Sequence, residues 1–250
     1  MKVFDITKII ENIAPISLAE EWDNVGLLVG SFDDEVKGIV ICLDLTESVI
    51  NECIYKSYNL IITHHPAIFA PLKQLNTNDY TSNLICKCIK NNINVYSAHT
   101  NMDMSEKGIN FEMAKLLGIE CKRFLSDGLG IFGEFAGDID KILLKLTDLT
   151  NEKEFKVYMS NSGKKLKKHT LAYISGSGGR IEEIVKTAIE KEITIVISSE
   201  FKHNILLELM ANDISVIQMG HFESEIIFVD IIYNLLKDII NDIYKHVNFN

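Results

Sequence analysis

Three short segments hold most of the chemistry this chain can offer. His64-His65-Pro66 follows the apolar run Leu60-Ile61-Ile62-Thr63, Ser97-Ala98-His99-Thr100-Asn101-Met102-Asp103 follows the β-rich Asn94-Val95-Tyr96, and Gly220-His221-Phe222-Glu223-Ser224-Glu225 follows Ile214 to Met219. In each, a stretch of strand character gives way to imidazole or carboxylate. Successive side chains of a strand point to opposite faces, so two adjacent histidines serve one site only where the strand ends and the backbone turns. Pro66 supplies that ending, because proline cannot donate to a ladder and holds the residue before it extended. The pattern predicts a site at the C-terminal edge of a sheet, where open α/β sheets bind their ligands.

Together the segments offer His64, His65, His99, Asp103, His221 and Glu225. Imidazole and carboxylate donors in that mixture suit Zn, Fe, Ni or Mn. Five or six such groups can hold two ions and leave coordination positions for water, which implies chemistry or exchange rather than a closed structural site. Each residue also has a plainer reading. His221 and Glu225, at i and i+4, could be a first-turn pair at a helix N-terminus. Asp103 could cap a loop, and His64 and His65 could bond to strand-end carbonyls.

In this combination of motifs the chain resembles the NGG-interacting-factor-three-like family of dinuclear-metal-centre, hexameric proteins, many of whose bacterial members carry the name GTP cyclohydrolase I type 2 homologue. The resemblance runs from Glu21-Trp22-Asp23-Asn24-Val25-Gly26-Leu27, through the His-His-Pro and Ser-Ala-His-Thr-Asn segments, to Gly220-His221. It implies two divalent ions ligated by His64, His65, Asp103, His221 and Glu225, with His99 beside the metals as a proton-transfer group. It also implies a toroidal homohexamer whose sites face a central cavity. Two ions about 3.5 to 4 Å apart would share a solvent-derived hydroxide and clamp the oxygens of a phosphate or carbonyl. The first functional expectation is therefore metal-dependent hydrolysis of a small phosphoester or nucleotide-like molecule. The second is a non-catalytic metal-binding or metal-delivery protein acting through partners. The segment Ser198 to Asn204 departs from the family's pattern and is assigned no role.

Several neighbouring groups have two readings. Trp22 is the only tryptophan and is expected to pack, with Asp23 and Asn24 bonding to local backbone; Asp23 orienting a ligand histidine is the alternative. Asp44, at a strand end, is either such an orienting group or a helix cap. Ser175-Gly176-Ser177-Gly178-Gly179-Arg180 lacks the lysine and spacing of a P-loop. It reads first as a tight βα turn, and second as a phosphate contact at a helix N-terminus.

The elements that must position these groups begin with an amphipathic helix through Ile6, Ile9, Ile10 and Ile13, stopped by Pro15. Then follow a strand over 38–44, a helix over 46–56 with Thr46 as N-cap, the 60–63 strand, a helix over 80–91, a strand over 94–98 and a helix over 109–117 closed by Gly118. Glycines 128, 130, 133 and 137 predict an edge hairpin within 122–137. Beyond it come a helix over 139–149, strands over 155–159 and 170–175, a helix over 181–191 and a strand over 194–197. The chain then returns from Asn204 through a strand over 214–219, and a long last helix runs from near Glu223 through Ile243. The expected fold is α/β with two α/β lobes: 1–123 with 204–250 carrying the metal residues, 124–203 forming the second, and the site in the cleft at the strand C-termini.

Composition narrows the function classes. At 250 residues the chain can bury a substantial core, and 47% hydrophobic residues fit buried parallel strands with apolar surface left for subunit contacts. A formal net charge of -10 opposes binding to a phosphate backbone, and the single basic run, Lys164 to His169, is short, so no nucleic-acid partner is expected. Five irregularly spaced cysteines do not describe a disulfide framework. Cys42, Cys53 and Cys121 read as reduced core residues. Charges interrupt the first residues, and no apolar run reaches the length of a membrane span, so no membrane association and a cytoplasmic location are expected.

Overall fold

The computed structural model describes residues 1–248. In chain order the elements are α1 (Val3–Ile13), β1 (Gly26–Val29), β2 (Ile39–Cys42), α2 (Glu47–Tyr55), β3 (Leu60–Thr63), α3 (Tyr80–Lys90), β4 (Asn94–Ser97), α4 (Thr100–Met104) and α5 (Ile109–Leu117). They continue with β5 (Cys121–Arg123), β6 (Ile131–Phe135), α6 (Ile139–Thr150), β7 (Lys156–Tyr158), β8 (His169–Tyr173), α7 (Glu183–Glu190) and β9 (Ile195–Ser198). The last are α8 (His203–Ala211), β10 (Ser215–Gln218), α9 (His221–Glu225), α10 (Ile227–Leu236) and β11 (Ile243–Lys245). The chain is α/β and divides into two compact units, one of residues 1–108 with those from 228 onward, the other of 109–227.

The first unit carries a five-stranded sheet in the order β1-β4-β3-β2-β11. Strands β11, β2, β3 and β4 are mutually parallel, and β1 closes the edge antiparallel to β4. Every residue of β2, β3 and β4 is buried, as the unbroken apolar runs of a parallel sheet covered on both faces require. Val40, Cys42, Ile61 and Val95 pack with Val49, Ile50 and Cys53 of α2 and Leu84, Ile85 and Cys88 of α3. The alternate residues Ile39, Ile41, Leu60, Ile62 and Tyr96 turn to the opposite face. There the Tyr96 hydroxyl donates to Glu11 of α1. Thr46 caps α2 as expected, its hydroxyl accepting from the Val49 amide at 3.3 Å.

The second unit carries a six-stranded sheet, β5-β6-β8-β9-β10-β7, with β8, β9 and β10 parallel at its centre. Ile195 and Ile197 of β9 face α5 and α6, whereas Val196 faces α7 and α8, so one strand feeds two cores. The glycine-rich stretch forms the expected hairpin: β5 and β6 pair antiparallel, with β5 at the sheet edge.

Several expectations need correction. Residues 204–227 belong to the second unit and not to the first, because β10 pairs in register with β9 and antiparallel with β7. The boundary at 123 also moves to 108, since α5 packs under β6 and β8. The expected single long last helix is instead α9, α10 and then a strand. Ile239 and Ile243 have helical spacing, but Ile243–Lys245 lies beside the edge of β2, whose backbone groups reward pairing more than a lengthened helix would. Cys42, Cys53 and Cys88 are fully buried, whereas Cys121, expected in the core, is half-buried on the edge strand. Among the described residues no helix is long and apolar enough to cross a membrane.

Candidate metal centre

Strand β3 ends where its sequence says it must. The ladder continues just past Thr63, with the His64 amide donating to Cys42 and the His65 amide to Leu43. The Thr63 hydroxyl then bonds to the His65 carbonyl at 2.8 Å and to Ser97 Oγ at 2.6 Å, which fixes the turn. Both imidazoles therefore reach one place, with ring centroids 5.0 Å apart. His99, between β4 and α4, joins them. His64, His65 and His99 each offer a ring nitrogen within 4.8 Å of the others, a group that could hold a metal ion. Asp103, on α4, brings Oδ2 to 3.8 Å from His64 Nε2.

All three rings are held by their far nitrogen. His64 Nδ1 lies 2.9 Å from the Ala98 carbonyl, His65 Nδ1 lies 2.8 Å from Asp44 Oδ1, and His99 Nδ1 lies 2.9 Å from Asp23 Oδ1. A carbonyl or carboxylate oxygen only accepts, so each Nδ1 carries a proton, and in the neutral form of each ring the lone pair is at Nε2. This is how metal-binding histidines are oriented. Phe228 of α10 packs on His64, with centroids 5.1 Å apart, and so places apolar surface against a buried imidazole.

Asp23 is the most constrained of the anchoring groups. It accepts from Thr100 Oγ1 at 2.5 Å, the Thr100 amide at 3.1 Å and the Asn24 amide at 2.8 Å, besides His99. Burial works against the charged form, yet the bonds from His99 and Thr100 outweigh it and hold the carboxyl down at about 2.

The second unit carries the other donors. Gly220 precedes α9, and its amide donates to Glu152 at 2.9 Å. Burial pushes that acid up from its ordinary value, against the bond from Gly220. His221 opens α9 and Glu225 closes it, so the i,i+4 spacing places His221 Nε2 3.1 Å from Glu225 Oε2. His221 Nδ1 lies 3.0 Å from Glu200 Oε1, which fixes the same tautomer as in the three histidines above. Two electron-rich atoms so close require a shared proton or a cation between them.

A family model described as Duf34/NIF3 (NGG1p interacting factor 3) matches residues 1–249. The chain belongs to this family. Among NIF3-family relatives, a GTP cyclohydrolase 1 type 2 homolog of Clostridium acetobutylicum is 36% identical over 90% of this chain and 85% of its own. One of Campylobacter jejuni is 33% identical over 96% and 93%. Of solved structures, reduced HcgD from Methanocaldococcus jannaschii superposes with a TM-score of 0.87 at 28% identity, covering 98% of this chain and 97% of that one. A hypothetical protein of Staphylococcus aureus gives 0.85 at 26% identity, covering 98% and 96%.

Within the NIF3 fold, the neighbouring groups settle as follows. Asp44 is an orienting partner of His65. Asp23 does more than bond to local backbone, since it holds His99. Trp22, expected to pack, is 59% exposed. Three groups have roles that the sequence does not announce. Glu200 lies in the segment assigned no role, yet it anchors His221 and pairs with Arg180 at 2.9 Å, so Arg180, weighed as a phosphate contact, is occupied in an ion pair. Gly176 has φ of +56°, and a Cβ there would stand 2.0 Å from Glu225 Oε1. The glycine-rich turn is thus set by the close approach of the Glu225 carboxylate. Ser224 completes the support: its hydroxyl accepts from the Gly176 amide at 3.0 Å, while its carbonyl accepts from the Tyr173 hydroxyl at 2.6 Å.

Proposed function

We propose that His64, His65 and Asp103 of the first unit and His221 and Glu225 of the second ligate one pair of divalent ions, and that the protein is a metal-dependent hydrolase of a small phosphoester or nucleotide-like substrate. The observation that carries this reading is the shared orientation of four histidines, each with Nδ1 bonded to an oxygen, so that Nε2 is the atom each would turn toward an ion. Imidazoles satisfying only local backbone would have no reason to agree. The family resemblance joins the same five residues.

Bound ions would supply Lewis acidity and an acidified water. The chain's own part is positional and proton-transferring. His99 presents Nε2 as a proton acceptor, and Asp23, charged down to about pH 2, stabilises the imidazolium that forms. Asp44 and Glu200 keep His65 and His221 from rotating away. The name of the clostridial and Campylobacter relatives suggests a GTP-like substrate. Six chains in a ring, the assembly the resemblance implies, belongs to the same proposal. A metal-delivery role is the second reading, favoured by the part-exposed side chains of His65 and His221, at 24% and 34%, which leave two donors accessible for exchange.

Metal analysis of protein purified without chelators, followed by a screen against phosphoesters and nucleotides, tests the proposal. About two ions per chain are expected, with turnover abolished by chelation and restored by one particular ion. His65→Ala and Glu225→Ala should each lower bound metal without unfolding the protein. Variants that retain both ions refute the ligand set. Stoichiometric metal transfer with no turnover under any metal places delivery above hydrolysis.

A further inference from the structure

Two large aromatic side chains stand in solvent beside the donor histidines. Trp22 is 59% exposed and Phe69 58%, and their rings meet at a centroid distance of 5.8 Å and an angle of 49°. His99 lies edge-on to both, 6.2 Å from Trp22 and 6.5 Å from Phe69, and is itself 5.1 Å from His64 and 5.5 Å from His65. Two touching aromatic rings exposed beside histidines form an apolar patch of the kind that marks a binding site.

The two rings are positioned by bonds and do not merely project. Trp22 immediately precedes Asp23, whose carboxylate is bound by His99 and Thr100. Phe69 follows Ile68, whose carbonyl accepts from the Asn24 side chain at 2.6 Å. The segment that carries Trp22 is thereby tied to the turn that carries Phe69, and both are tied to His99. Because the rings touch, no slot exists between them. They form a one-sided platform with Phe69 bracing the indole, a surface suited to stacking one flat π-system.

We propose that Trp22 and Phe69 form a stacking subsite for a planar heteroaromatic ring, so that the substrate is a ring-bearing phosphate of nucleotide type and not a simple phosphoester. A ring on the platform stands one aromatic contact from His99 and two from His64 and His65. The attached anionic group then reaches the donor histidines while the ring stays on the indole. This rests on the metal-site reading for the anion and on the platform alone for the ring.

Trp22 is the only tryptophan in the chain, so intrinsic fluorescence reports on the subsite directly. Metal-loaded protein is titrated with adenosine and guanosine monophosphates, with ribose 5-phosphate as the ringless control. Affinities of wild type, Trp22→Ala and Phe69→Ala are measured by calorimetry, and metal content is assayed separately. Saturable quenching by a nucleotide and none by ribose 5-phosphate is expected. Each substitution should weaken nucleotide binding about tenfold to a hundredfold, leaving metal content and any ribose 5-phosphate binding unchanged. Equal binding of ring-bearing and ringless phosphates, no saturable quenching by either nucleotide, or unchanged affinity in both variants overturns the subsite. So does an indole shielded from acrylamide in the assembled protein and exposed on dilution, which makes the platform a contact between copies. Nucleotide quenching that depends on Phe69 in a protein that binds no metal leaves the subsite standing and removes the hydrolase reading instead.

Discussion

Replacing Asp23 by Asn tests whether His99 is held for proton transfer. The wild-type carboxylate is wholly buried and accepts four hydrogen bonds, from His99 Nδ1, the Thr100 hydroxyl and amide, and the Asn24 amide. Its carboxyl sits at about 2, against an ordinary 3.8. A group that gives up its proton more readily folded than unfolded stabilises the fold fully above its ordinary value, and that contribution is lost as pH falls from 3.8 toward about 2. The difference is worth on the order of 2 kcal/mol. Asp23→Asn should therefore lower the melting temperature at pH 7 by roughly 4–8 °C, and the gap to wild type should narrow as the solution is acidified through that window. The amide must also turn its NH2 toward one of the former donors. If it faces His99, the ring moves its proton to Nε2 and stops being an acceptor there. Nitrogen chemical shifts of His99 read this tautomer without any substrate, and urea unfolding at stepped pH reads the stability gap. A gap of constant size down to pH 3, or a His99 tautomer and a Thr100 amide shift both unchanged from wild type, refutes the account.

Gly176→Ala should lower bound metal while leaving the fold intact, because the added methyl overlaps Glu225 Oε1 and φ of +56° disfavours any side chain; full metal content with circular dichroism unchanged would contradict this. His99→Ala should keep most of its metal and lose about a hundredfold or more in turnover; loss of metal as complete as in His65→Ala makes His99 a direct ligand. Chelated protein should sediment as the same oligomer as the metal-loaded form, since apolar contacts and not the ions are expected to hold the chains together. A monomer on chelation places the ions in the interface.

Legibility in the sequence followed the range of the interaction. His64 and His65 were readable because the strand's end, its proline and the histidines are neighbours in the chain. The same holds for the Thr46 cap, the Gly118 stop and the hairpin at Gly128 to Gly137. The domain boundary is not legible locally, because β10 owes its membership to pairing with β9, a partner whose identity is a matter of register and not of composition. β11 failed in the same way: its isoleucine spacing satisfied a helix, and only the free edge of β2 decided otherwise.

The orienting acids show where local reading stops. Asp44 stands at a strand end and could be weighed as a partner before any fold was known, since strand ends converge on the same sheet edge. Glu200 had no such cue, for its segment differs from the family pattern and its backbone is left-handed at φ of +56°, a conformation an acid rarely takes. The carboxylate that this backbone delivers to His221 Nδ1 is what marks its place. Arg180 then pairs with the second oxygen of the same carboxylate, so the charge that steadies His221 is itself held from behind. Glu200→Gln should accordingly weaken metal binding less than Glu225→Ala but more than a surface substitution, and the 10- to 100-fold loss typical of orienting partners is the expected size.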